Sequence, residues 1–130
     1  MRYMLLIYTN ENAAQTPEEA QRVREGHRQA MDEAARKGFL RGAEPLASTS
    51  TATTLRVRDG RTVITDGPFA ETKEQLAGYY ILECGNLDEA MEIAGMIPTA
   101  CGGGDGCVEI RPMRFQGRPD SSEVAGAAHG

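Results

Sequence analysis

Arg2-Tyr-Met-Leu-Leu-Ile-Tyr8 carries an apolar or aromatic side chain at every position after its arginine. In an extended strand Met4, Leu6 and Tyr8 face one way and Tyr3, Leu5 and Ile7 the other, so both faces of this strand must be covered. Downstream, Thr16-Pro-Glu-Glu19 has the chemistry of a helix start. Thr16 can cap, Pro17 suits the first turn, and Glu19 three residues on can complete a capping box. Ala20, Val23, Ala30, Met31 and Ala34 then recur at helical spacing, which predicts a helix over about 17–37, with Gly38 at the left-handed cap position. His27 lies seven residues from both Ala20 and Ala34, on that inward stripe. Phe39 to Leu46 reads as a returning strand, so residues 2–46 form a strand-helix-strand unit.

Thr53-Thr-Leu-Arg-Val-Arg58 alternates, Asp59-Gly60 supplies a two-residue turn that needs positive φ, and Arg61-Thr-Val-Ile-Thr65 leads back. This is a hairpin insertion. Gly78-Tyr-Tyr-Ile-Leu-Glu83 is again a strand with apolar groups on both faces, Asn86-Leu-Asp-Glu89 opens a second helix that Pro98 ends, and Val108 and Ile110 alternate with polar neighbours in a last strand. Two such units in tandem predict an α+β, ferredoxin-like βαββαβ protomer with both helices on one face of an antiparallel sheet. The uncovered face is apolar too, so the expected partner is a second copy, packed sheet against sheet as a homodimer.

The chain of 130 residues fits one domain, taken here as residues 1–115, with residues 116–130 lacking an apolar period and expected to be mostly disordered. Residues 1–65 hold ten bases and eight acids, net +2, and residues 66–130 four bases and eleven acids, net −7. No basic run or aromatic-basic stripe is present, which argues against nucleic-acid binding. The apolar run at residues 3–8 is too short for a signal segment or a membrane span, so a cytoplasmic protein is expected. Three cysteines, an odd number, argue against a disulfide framework. The pair in Cys101-Gly-Gly-Gly-Asp-Gly-Cys107 lacks the ligand set of a zinc site, with only Cys84, His27 and His129 as distant donors. It reads instead as a Gly-rich loop running into a buried strand cysteine, and neither a metal nor a cofactor is expected.

Between hairpin and third sheet strand, Asp66-Gly-Pro-Phe-Ala-Glu-Thr-Lys-Glu-Gln-Leu-Ala-Gly-Tyr-Tyr80 has no clear helical or strand period, and it reads as a structured loop close to the sheet with Phe69 buried; it opens on Asp66-Gly-Pro-Phe-Ala-Glu-Thr-Lys-Glu74, dense in polar groups. These residues resemble the signature of YCII-related proteins of the DGPF-domain type, bacterial members of the dimeric α/β-barrel superfamily. The resemblance runs over about residues 1–114, through Thr53-Thr-Leu-Arg-Val-Arg-Asp-Gly60 to Val108-Glu-Ile-Arg-Pro112. It implies a dimeric α/β barrel, a largely unassigned activity, and a link to extracytoplasmic-function sigma-factor systems. In the broader group a His on the first helix pairs with an Asp before a Pro after the second helix, in what looks like an acid-base dyad. His27 matches the first; Ile97 stands before Pro98 where the Asp would be.

His27 is therefore the candidate proton-transfer residue, set against a packed core imidazole, with Asp66 or Glu71 as the carboxylate that would orient it. Asp66 has the alternative of bonding the backbone of its turn, and Glu71 and Lys73 that of an ion pair. Phe69, Lys73 and Tyr79 are candidate ligand contacts, although Tyr79 and Tyr80 read as core rather than as acid catalysts. The expected activity is acid-base chemistry on a small organic molecule between sheet and helices. The rival is a non-catalytic ligand-binding or regulatory module.

Overall fold

The computed structural model describes residues 1–98 and 106–114. The expected tail at 116–130 lies outside them, as does Cys101. Six strands and two α-helices follow in order among the described residues: β1 (Arg2–Thr9), α1 (Pro17–Arg36), β2 (Leu40–Pro45), β3 (Thr53–Arg58), β4 (Arg61–Asp66), β5 (Gln75–Glu83), α2 (Leu87–Ala94) and β6 (Cys107–Pro112), with a short 3-10 turn at Thr49–Thr51 between β2 and β3. The fold class is α+β. An open four-stranded sheet has the order β2-β5-β1-β6, every neighbour antiparallel, and β3 and β4 pair only with each other.

The local signals act as their chemistry dictates. The Glu19 amide donates to Thr16 Oγ1 at 3.1 Å, and the Thr16 hydroxyl donates to the Glu19 carboxylate at 3.1 Å. At the other end Gly38 takes φ +76°, which lets the Phe39 amide reach the Ala34 carbonyl at 2.8 Å and the Gly38 amide reach that of Ala35 at 3.0 Å. This double closure satisfies carbonyls the helix would otherwise orphan. Asn86 caps α2 by accepting from the Glu89 amide at 3.0 Å. Asp59 (φ 51°) and Gly60 (φ 75°) form the positive-φ pair that turns β3 into β4.

Strand alternation then sorts the sheet's side chains. Tyr3, Leu5 and Ile7 on β1 and Tyr80 and Leu82 on β5 share one buried cluster with Ala30 and Ala34 of α1 and Ala90 and Ile93 of α2. Both helices thus cover the same face. On the other face Met4 pairs with Ile81 and Leu6 with Tyr79, and these four are only half-buried because no element of the described residues lies over them. The alanines at the helix contacts let α1 and α2 approach the sheet closely.

Three expectations are corrected. Residues 75–77 are strand rather than loop: β5 begins at Gln75, because Thr9 and Tyr8 of β1 pair with Gln75 and Leu76. Phe69 does not enter the core: it is 78% exposed. The physical reason is the hairpin, a separate two-stranded sheet with every residue of β4 exposed, and the loop after it is tied to the hairpin's base by the Gly67 amide donating to the Ala52 carbonyl at 2.7 Å. Cys107, expected to be buried in its strand, is exposed. It sits opposite Tyr8, on the sheet face away from α1 and α2.

Candidate functional site

A cavity of about 400 Å³ opens between α1 and the β2-β5-β1 part of the sheet. Its wall is apolar where Ile7, Val23, Met31, Ala43, Pro45 and Ala77 contribute, and His27, Tyr80 and Thr9 bring polar atoms. Arg24, one helical turn before His27, and Glu44 on β2 are its charged members. His27 reaches the cavity because the inward stripe of α1 aims it at the sheet. Tyr80 meets it there because β5 alternation puts that ring on the helix side.

His27 Nδ1 and the Tyr80 hydroxyl are hydrogen-bonded at 2.9 Å, and the same hydroxyl donates to the His27 backbone carbonyl at 3.3 Å. The rings stand 6.1 Å apart at an interplanar angle of 50°. Burial lowers the His27 pKa from its ordinary value and pushes the Tyr80 phenol up to about 12. Both are consequently neutral at neutral pH, since a low-dielectric setting disfavours each charged form. His27 is half-buried, and among the described residues its hydrogen-bond partner is Tyr80 rather than a carboxylate. Such an imidazole can accept a proton or a hydrogen bond from a cavity ligand.

Pro98 packs on the same helix: a Cβ built on Gly26 would lie 2.5 Å from Pro98 Cγ. The residue preceding it, Ile97, is buried in the core and brings no carboxylate toward α1.

The remaining candidates lie elsewhere. Glu71 lines a second, polar cavity of about 540 Å³ at the hairpin base, with Glu11, Ser48, Thr49, Pro68 and Gln75 among its neighbours. There the Glu11 carboxylate accepts from the Thr49 hydroxyl, the Thr49 amide at 3.2 Å and the Ser48 hydroxyl at 3.3 Å, and the bonds from Thr49 hold its carboxyl below the usual range. Asp66 ends β4 and is exposed, and Lys73 is exposed on the loop. Tyr79 points to the face opposite the cavity, against Leu6. None of Asp66, Phe69, Glu71, Lys73 and Tyr79 lines the His27 cavity. The described residues hold no cluster of three or more metal-ligating side chains.

Tyr80 is the site residue that sequence reasoning favoured as core over acid catalyst. A signal was available. A histidine on an inward helix stripe needs a polar partner on the sheet, and Tyr80 shares its strand face with Leu82, whereas Tyr79 does not.

Residues 1–114 match the YCII-related domain, and the chain belongs to that family. An uncharacterised protein from Rhizobium meliloti (strain 1021) is 38% identical over 115 residues, covering 87% of this chain and 92% of the relative. Among the described residues no helix is long and apolar enough to cross a membrane.

Proposed function

We propose that the cavity between α1 and the sheet takes up a small, largely apolar organic molecule and that His27 is its proton acceptor. The observation that carries this is a neutral imidazole, bonded to Tyr80, in the wall of an otherwise apolar cavity of about 400 Å³. That size suits a single-ring compound. The protomer is read as ferredoxin-like, of the DGPF branch, and as one half of a dimer. Its strand order and the half-buried row Met4, Leu6, Tyr79 and Ile81 support that reading.

A second reading, capture without turnover, is favoured by a specific feature: among the described residues no carboxylate is hydrogen-bonded to His27, and Ile97 stands where an acid-base partner would be. Phenylacetone in deuterated water separates the two. Exchange of its α-protons faster than free imidazole gives at equal concentration, lost in His27→Gln, is the result expected of a proton-transfer site. Saturable shifts at cavity residues without faster exchange would support capture alone. Shifts that survive the cavity-filling change Ala43→Leu would overturn both.

A further inference from the structure

We infer that Tyr80 holds His27 in its Nδ1-protonated form, so that the cavity presents a bare Nε2 lone pair and selects neutral ligands carrying a hydrogen-bond donor, a phenol-like or enol-like hydroxyl. This deepens the cavity reading proposed above and rests on it.

The argument is a count of protons. The Tyr80 hydroxyl has one hydrogen, and it lies within bonding distance of two partners, His27 Nδ1 at 2.9 Å and the His27 carbonyl at 3.3 Å. A carbonyl oxygen can only accept. As two separate, two-centre hydrogen bonds the contacts are made together in one arrangement: the hydroxyl donates to the carbonyl, and Nδ1–H donates to the hydroxyl oxygen. A neutral ring with its hydrogen on Nδ1 has none on Nε2.

Nε2 makes no hydrogen bond among the described residues, and no buried side-chain nitrogen or oxygen there lacks a partner. Nε2 is therefore accessible, and His27 lines the cavity. An acceptor in an apolar wall rewards a ligand O–H and leaves an ether or carboxylate oxygen facing a lone pair. The charged wall members are balanced in sign. Arg24 and Glu44 are of opposite sign, and the Arg24 guanidinium already donates to Gln21 Oε1 at 2.8 Å.

The test has two arms. A long-range proton-nitrogen spectrum of the histidine rings of the full chain at neutral pH reads the tautomer directly: a protonated Nδ1 and a bare Nε2 are expected at His27. In Tyr80→Phe, which keeps the ring and loses the hydroxyl, the two tautomers should mix. A protonated Nε2 in the unsubstituted protein would overturn the proposal. In the second arm phenol, anisole and benzoate are titrated, with shifts at the Val23, His27 and Ala43 amides as readout. Phenol is expected to bind roughly tenfold more tightly than anisole, the worth of about one hydrogen bond, and more tightly than benzoate. The ratio of phenol to anisole affinity should shrink in Tyr80→Phe. Equal binding of phenol and anisole would overturn the donor preference and leave the cavity reading standing. No saturable shift with any probe would overturn both.

Discussion

His27 owes its properties to where one helix stripe meets one strand face, and the sign of its pKa shift makes a stability prediction. Its folded-state pKa is lowered by burial, so between that value and the ordinary one of about 6.5 the unfolded chain binds more protons. Stability is full above about pH 6.5 and falls as pH drops through the folded-state pKa. Urea unfolding at pH 7.5 and pH 5 should show this loss, and His27→Gln should reduce it; an unchanged loss in the variant would assign the effect to other groups. Gly26 makes a second case at this scale. An alanine there would place its Cβ 2.5 Å from Pro98 Cγ, within a stiff ring. Overpacking costs about 1–3 kcal/mol, whereas Gly→Ala in a helix gains about 1 at most. Gly26→Ala should therefore destabilise the protein, against the usual direction for an exposed helix position, and chemical denaturation measures which term wins.

At the scale of elements, the hairpin of β3 and β4 stands apart from the core. Leu55, Val57 and Ile64 are 60%, 65% and 64% exposed, and register puts Leu55 opposite Ile64. Replacing residues 55–64 by Asn-Gly would join Thr54 to Thr65, already cross-strand partners, through a favoured two-residue turn. That shortened chain should unfold within about 1 kcal/mol of the parent, as changes away from buried contacts usually do; a larger loss would mean the hairpin packs on something in solution. The elements themselves were legible in the sequence, because caps and turns act locally: Thr16, Gly38, Asn86 and Asp59-Gly60 each fix an end or a reversal through bonds within a few residues. The direction of the loop after β4 was not. Phe69 looked like a core residue on composition, but its burial depends on whether the hairpin folds back on the sheet, and no local signal carries that. The site was half legible for the same reason. The helical period aims His27 inward, while its meeting with Tyr80, 53 positions away, depends on how α1 sits across β5.

Taken whole, the chain has two apolar surfaces with different fates: a helix-covered face that encloses the cavity, and an opposite face where Met4, Leu6, Tyr79 and Ile81 lie half-buried. The second predicts a dimer at micromolar concentration in sedimentation, and Leu6→Arg, by placing a charge at the middle strand, should shift it to monomer. A monomeric parent protein would contradict that assignment without touching the cavity. The central claim is that His27 is a neutral acceptor held by Tyr80 in an apolar wall. Its most direct test is an NMR titration of the His27 ring in the full chain, with His27→Gln for assignment. The account predicts a midpoint below the ordinary value of about 6.5, rising toward it when Ala77→Asp brings a carboxylate into the cavity. A midpoint at or above 6.5 in the unsubstituted protein would mean that a charge or solvent stabilises the imidazolium, and would contradict the account.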